Sequence, residues 1–390
     1  MLKTVFLTAS RGDEGKNFEH IMRIIFLSRY SDLTMLVTSR ADFERYLSDG
    51  ARTVRSPFPG KLGLIVFSFH WLLKNRKNLD NVILVSEPSI LGVTGLLGKL
   101  VANIKWVVDV WDIPIRHQKY VINRHRFTEL RVTLTRYLMR LAYKKADLFI
   151  VGIRPDFQFR YYQVPESKTL TWQTTIWIPD QRKDNLVEED GYFNILCMRS
   201  LHTPACGLDI LLKAFLNVRK QIDNTRLWVI GRIREDVEHT IKGFRDLEGV
   251  EFRGFLEHRE VMQLIRQAHL CVIPWYDDVD LAQAYPTKVM EYMTEGKVVL
   301  AARIAAISDM IRDGEDGLLH RPGDPDDLAD KIVALYKDGA LRERLADNAR
   351  RYHPRFDTIC KHEEIFRVLK SLVNDRSPVD VNTIDKQWLS

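Results

Sequence analysis

The chain has 390 residues, of which 45% are hydrophobic and 28% charged, a balance that suits substantial folded cores and excludes a mainly disordered protein. Its four cysteines, Cys197, Cys206, Cys271 and Cys360, lack CxxC spacing, so neither a zinc site nor a disulfide framework is expected, and a reducing cytoplasm is the simplest home. The net charge of +6 is uneven: residues 1–180 hold 27 Lys and Arg against 16 Asp and Glu, and residues 181–390 hold 31 against 36. No helix-turn-helix, zinc or RNP-like motif accompanies the basic half, which argues against nucleic acid as a partner.

The first apolar run, Thr4 to Ala9, is too short for a signal-peptide core and reads as a strand. In the loop after it, RGDEGKN, Gly12 and Gly15 allow close approach of backbone to a ligand. It is not a Walker A loop, because Asn17 stands where Ser or Thr is required, so a nucleotide-hydrolysing motor is disfavoured. FEHIMRIIFLSRY then reads as helix and LTMLVTS as strand. The apolar run Leu62 to Leu73 includes His70 and falls short of the roughly twenty residues that span a bilayer, so an integral membrane protein is not expected.

NVILVS is the next strand, followed by Glu87. KWVVDVWD places Asp109 and Asp112 at the end of a buried strand, where a carboxylate can orient or deprotonate a hydroxyl, or cap the next turn. From Arg116 to Lys145, basic residues interleave with Tyr, Phe and Leu in a helical pattern. Such a surface can rest on anionic lipid headgroups, or be a solvated helix whose apolar face is core.

ADLFIVG ends this strand series, and an irregular polar stretch near residues 170–190 marks a domain boundary. A second series follows: YFNILCMRS, TRLWVIG, VEFRGF, LCVIPW and KVVLAA, again separated by helical patterns. Strands alternating with helices predict an α/β fold of two doubly wound, Rossmann-like domains, residues 1–175 and 190–355, with ligands at the carboxyl ends of both sheets in a cleft between them. A last helix pattern occupies residues 356–374, and the tail from Asp375 reads as loosely ordered.

The segment from Tyr285 to Tyr352 carries the densest pattern. A helix is expected to open at Pro286, where a missing amide costs nothing and the helix dipole favours an anion. Lys288 adds a positive charge to that turn, and Glu291, three residues on, lies near the same face. The pair suits a nucleoside diphosphate, with Lys288 on phosphate and Glu291 accepting from ribose hydroxyls; an ordinary surface pair at this spacing is the plainer alternative.

Pro286, Lys288 and Glu291, followed in order by EYMTEGKVV, DGEDGLL and PGDPDDLA, resemble the donor-binding half of the glycosyltransferase family 4 enzymes, the retaining group 1 glycosyltransferases, whose fold is GT-B. The resemblance implies transfer of sugar from a nucleotide sugar to a hydroxyl of a glycan, expected to be lipid-linked, at the cytoplasmic face of a membrane, in polysaccharide or glycan assembly. It implies that residues 1–175 bind the acceptor, that residues 190–355 bind the nucleotide sugar, and that the last helix crosses back to the first domain. Arg199 matches the family's arginine on the donor phosphates, and Gly231, Arg232 and Gly254 fall where relatives approach the nucleotide with backbone. The loop with Gly12 and Gly15 resembles the one that relatives place over the acceptor and donor diphosphate.

Three positions depart from the family pattern. Gln283 stands where many relatives have a first glutamate eight positions before the second, Cys206 where they have a lysine before Gly207, and Trp111 where they have a histidine. These leave the donor sugar open, and keep in view a non-catalytic partner of this fold in glycan assembly; a nucleotide-sugar epimerase is the other rival. Asp278-Val279-Asp280 forms an acidic triplet that holds metal in the other major glycosyltransferase fold. Within this pattern it is not expected to do so, because helix amides, Lys288 and Arg199 can neutralise the leaving diphosphate without a divalent ion or other cofactor.

Overall fold

Short runs of Val, Ile, Leu and Phe buried on both faces form parallel strands, because only helices on both sides of a sheet keep such runs from water. In the computed structural model the described residues are 2–9, 18–87, 89–110, 137, 139–152, 154, 164–172, 191–198, 206–231, 238, 241–278, 282, 285–352 and 358–374. They divide into two units, residues 1–174 with 359–390, and residues 175–358.

Unit 1 runs β1 (Leu2–Thr8), α1 (Phe18–Tyr30), β2 (Ser31–Val37), β3 (Arg52–Arg55), α2 (Gly60–Asn75), β4 (Val82–Ser86), α3 (Gly92–Val101), β5 (Lys105–Val110), β6 (Leu148–Val151) and β7 (Thr169–Thr171). Its sheet order is β3-β2-β1-β4-β5-β6-β7, and adjacent strands are parallel. The order reverses direction between β1 and β4, the switch point at which doubly wound sheets bind ligands.

Unit 2 runs β8 (Phe193–Met198), α4 (Leu208–Arg219), β9 (Thr225–Ile230), β10 (Val250–Gly254), α5 (His258–Gln267), β11 (Leu270–Ile273), α6 (Thr287–Thr294), β12 (Val298–Ala302), β13 (Leu318–His320), α7 (Pro325–Lys337) and α8 (Gly339–Tyr352). The order β10-β9-β8-β11-β12-β13 puts its switch point between β8 and β11, and these strands too are parallel. Asp324 starts α7 by accepting the amides of Asp326 and Asp327, with Pro325 beside it at the first helical position.

The helix α9 (Thr358–Asn374) returns to unit 1, where Ile365, Val368, Leu369 and Leu372 join a core that includes Phe26 and Leu33. Glycines set another contact. Gly95 of α3 lies flat on Trp106 of β5, and a Cβ there would stand 2.1 Å from the indole. The Trp106 indole N–H donates to the Ser86 hydroxyl at 2.9 Å, so its buried polar edge is satisfied.

Two doubly wound parallel sheets were predicted and are present, but β3, β7 and β13 were not read from the sequence. They are edge or short strands: β3 carries the exposed Arg52 and Arg55, and β7 and β13 have three residues each. The apolar run Leu62 to Leu73 lies within α2, and among the described residues no helix is long and apolar enough to cross a membrane.

Candidate active site

The switch point of unit 2 gathers the ends of several elements. Pro286 precedes α6 with φ −75° and ψ 116°, and the helix start has no side-chain cap. Its first-turn amides and dipole therefore favour an anion. Lys288 and Glu291, both half-buried, follow on this helix. Removal from water pushes the Glu291 carboxyl above the usual carboxylate range, against the opposing pull of His258 and Lys288. A buried acid whose titration is raised beside a lysine and a histidine is a common mark of a functional site.

Tyr292, the next residue, is fully buried, and its hydroxyl oxygen accepts the Met198 amide N–H at 3.0 Å. This bond fixes α6 against the carboxyl end of β8. Beside it, Gly207 opens α4 in the left-handed region at φ 66°, and a Cβ there would stand 1.7 Å from the Pro274 carbonyl oxygen. Only glycine fits. Cys206 is buried, and Asp209 of α4 accepts from the Tyr276 hydroxyl at 2.7 Å. Burial and this carboxylate push the Tyr276 hydroxyl up to about 12.

Gly231 and Gly254 end β9 and β10 at positive φ, 123° and 66°, and the Gly231 amide donates to the Gly254 carbonyl at 2.6 Å. Around Gly254 a Cβ would meet nothing within 4 Å, so backbone is open to approach there. Four residues on, His258 opens α5 behind a capping box made by Glu257 and Glu260. Sequence reasoning missed His258 and Tyr292, because what marks them is their contact with residues distant in the chain.

In unit 1 the corresponding end is held by Glu87, 8% exposed, which accepts from the Thr8 hydroxyl and from the Ala9 amide at 3.3 Å. Asp109 is placed differently from the acceptor-facing role expected of it. It is 2% exposed and ion-paired with Arg23, whose guanidinium lies 4.7 Å from the Trp172 ring centre and donates to the Trp172 carbonyl at 3.3 Å. Its charge is committed inside the unit. Gly12, Gly15, Asp112, Arg199, Arg232 and Gln283 lie outside the described residues, as do Trp111, Asp280 and most of the basic segment 116–145. A cavity of about 390 Å³ touching Lys3, Asp32 and Arg52 lies at the amino ends of the strands, opposite the end that binds ligands in such sheets.

The family model for glycosyl transferases group 1 matches residues 192–338, the span that holds this switch point. Alpha-D-kanosaminyltransferase of Streptomyces kanamyceticus is 30% identical over 303 residues, 72% of this chain and 76% of that protein. The chain belongs to the group 1 glycosyltransferases.

Other relatives of this group 1 chain match over less of their length. The phosphatidyl-myo-inositol mannosyltransferase of Mycobacterium leprae is 27% identical over 187 residues, and an uncharacterized glycosyltransferase of Methanocaldococcus jannaschii 26% over 172. The chain spans 49% and 46% of these two curated relatives. Among solved structures, Anabaena HepE in complex with UDP and glucose superposes with a TM-score of 0.72 at 19% identity, covering 95% of this chain and all of that one. WaaG, a glycosyltransferase involved in lipopolysaccharide biosynthesis, has a TM-score of 0.62 at 16% identity, covering 94% and 99%. The fold of this group 1 glycosyltransferase is thus GT-B.

Proposed function

We propose that this chain is a retaining glycosyltransferase that moves a sugar from a nucleotide-sugar donor to a hydroxyl of a lipid-linked glycan at the cytoplasmic face of a membrane, in cell-surface glycan assembly. The observation that carries the reading is the placement of Lys288 and Glu291 on one half-buried helix, fixed to the carboxyl end of β8 through Tyr292. Lys288 and the first-turn amides of α6 hold the donor diphosphate, with Arg199 as a further cation. Glu291 accepts from the ribose hydroxyls, and Gly231, Arg232 and Gly254 flank the nucleotide. Gln283 is assigned to the donor sugar, Gly12 and Gly15 to the loop over the diphosphate, and Asp112 to the acceptor hydroxyl. Asp109 keeps Arg23 in place.

In the step itself, the bond between the sugar's anomeric carbon and the diphosphate oxygen breaks, and its electron pair leaves with the nucleoside diphosphate. The acceptor oxygen bonds to the same carbon from the same face, and its proton passes to a leaving phosphate oxygen. Negative charge grows on that diphosphate, and preorganised cations and amides stabilise it there more than in the ground state. A divalent ion is not required by this scheme. The test is product formation from nucleotide sugar with and without a lipid-linked acceptor. Glycosylated lipid formed only when both are present supports transfer, and conversion of the nucleotide sugar alone contradicts it.

A further inference from the structure

A hollow at the amino end of the unit 1 sheet follows from small side chains. Strand residues in register face the same side of a parallel sheet. Lys3, Asp32 and Val82 therefore form one row across β1, β2 and β4, and Val5, Thr34 and Arg52 the next across β1, β2 and β3. Valine and threonine are short, and between these rows and the last turns of α2 lies the cavity of about 390 Å³. That volume falls at the lower end of the roughly 300–1,000 Å³ typical of small-molecule sites.

The walls of the cavity differ in kind. Trp71 and Asn75 lie one turn apart on α2, and Trp71 is half-buried against the core that holds Val5, Leu79 and Val82. The Asn75 side-chain amide donates to the Trp71 carbonyl at 2.8 Å, which fixes the carboxamide plane and leaves its oxygen as an acceptor. Asn78 and Arg52 are exposed, and Arg52 stands 3.6 Å from the Asp32 carboxylate, too far for a hydrogen bond, so both groups keep bonding capacity. Lys3 and Arg52 face the one carboxylate of Asp32, and the wall carries an excess of one positive charge.

A pyranose ring has one face of C–H groups and a rim of hydroxyls. The face packs on an aromatic ring, and the hydroxyls pair with planar carboxylate, carboxamide and guanidinium groups, each able to meet two neighbours at once. A carboxylate on the sugar would answer the excess cation. An apolar ligand would instead leave Asp32, Asn75 and Asn78 without partners, and a nucleoside diphosphate would bring several negative charges to one excess positive.

We propose that this cavity is a second binding site, for an acidic sugar unit of a glycan. Trp71 lies under the ring, Asp32, Asn75 and Asn78 take its hydroxyls, and Lys3 and Arg52 take its carboxylate. Thr8, at the switch-point end of β1, lies five residues on from Lys3, roughly 17 Å along the strand. Such a site holds glycan whether or not the chain transfers sugar, since no group of the transfer scheme lines it.

The experiment is calorimetric titration of the full chain with two oligosaccharides: hyaluronan tetrasaccharide, which alternates glucuronate with N-acetylglucosamine, and chitotetraose, which is N-acetylglucosamine alone. Wild type is expected to bind the acidic one about tenfold or more tightly than the neutral one. Lys3→Gln/Arg52→Gln should abolish that preference with thermal melting unchanged, because both residues are exposed. Trp71→Leu should weaken both oligosaccharides roughly tenfold. Hydrogen exchange with hyaluronan tetrasaccharide bound should slow in residues 71–82. Absence of binding by either oligosaccharide would overturn the proposal, as would a full preference kept by Lys3→Gln/Arg52→Gln. So would slowed exchange found only at the carboxyl ends of the strands.

Discussion

The backbone N–H of Met198, the last residue of β8, donates to the hydroxyl oxygen of Tyr292 on α6 at 3.0 Å. Tyr292 is fully buried, so this bond is formed away from water and fixes the end of β8 against the helix bearing Lys288 and Glu291. Tyr292→Phe keeps the ring and removes the acceptor. The orphaned amide should cost about 1–3 kcal/mol in chemical denaturation, with weaker nucleotide binding by the protein that remains folded. Unchanged stability and unchanged binding would show that the bond organises nothing.

Glu291 gives a pH-dependent prediction. Burial holds its folded pKa above the unfolded one, so the folded state binds more protons. Its contribution therefore weakens the fold as pH rises from the ordinary carboxylate range through the raised value, and the full cost persists above it. Glu291→Gln should melt like wild type near pH ~4, where both are neutral, and above wild type at pH ~7. Donor affinity at the higher pH should fall about 10–100-fold with the loss of a charged acceptor. A variant that melts below wild type at the higher pH contradicts the burial argument.

Gly207 is a position where the fold allows no side chain. Its φ of 66° disfavours other residues, and the Pro274 carbonyl occupies the Cβ site. Gly207→Ala should destabilise unit 2 by about 2 kcal/mol or more, read as a lower denaturation midpoint with an unchanged slope. A midpoint within error of wild type would mean that the loop relaxes freely.

Asp109 and Arg23 form a buried pair, and breaking such a pair costs more than replacing it. Asp109→Asn should lose about 3–5 kcal/mol of stability, whereas Asp109→Leu with Arg23→Met should recover most of it. If Asp109→Asn instead melts like wild type and loses only transfer activity, the carboxylate serves the acceptor after all.

This pair also shows where sequence reading ends. The strand holding Asp109 was legible from KWVVDVWD, and so was the helix start at Pro286, because both are local patterns of polarity and backbone restriction. That Asp109 turns to Arg23 of α1, or that His258 of α5 lies near Glu291 of α6, follows from sheet order, which brings chain segments together that no spacing links. The edge strand β3 escaped notice for a related reason: with Arg52 and Arg55 exposed, it lacks the apolar run that reveals a central strand. Gly207 was legible only as a neighbour of Cys206, since the clash that requires glycine comes from Pro274 on a different strand connection.

The central claim is that a nucleotide sugar binds at Lys288 and Glu291, and thermal melting across UDP-, GDP-, dTDP- and ADP-sugars tests it most directly, with Lys288→Ala measured beside wild type. A bound donor stabilises the fold by mass action, by about 2.7 kcal/mol at a hundredfold excess over its dissociation constant. The expected result is a rise in melting temperature with one nucleotide class in wild type, absent in Lys288→Ala, while both proteins melt together without ligand. No rise with any donor, or an equal rise in the variant, would contradict the site.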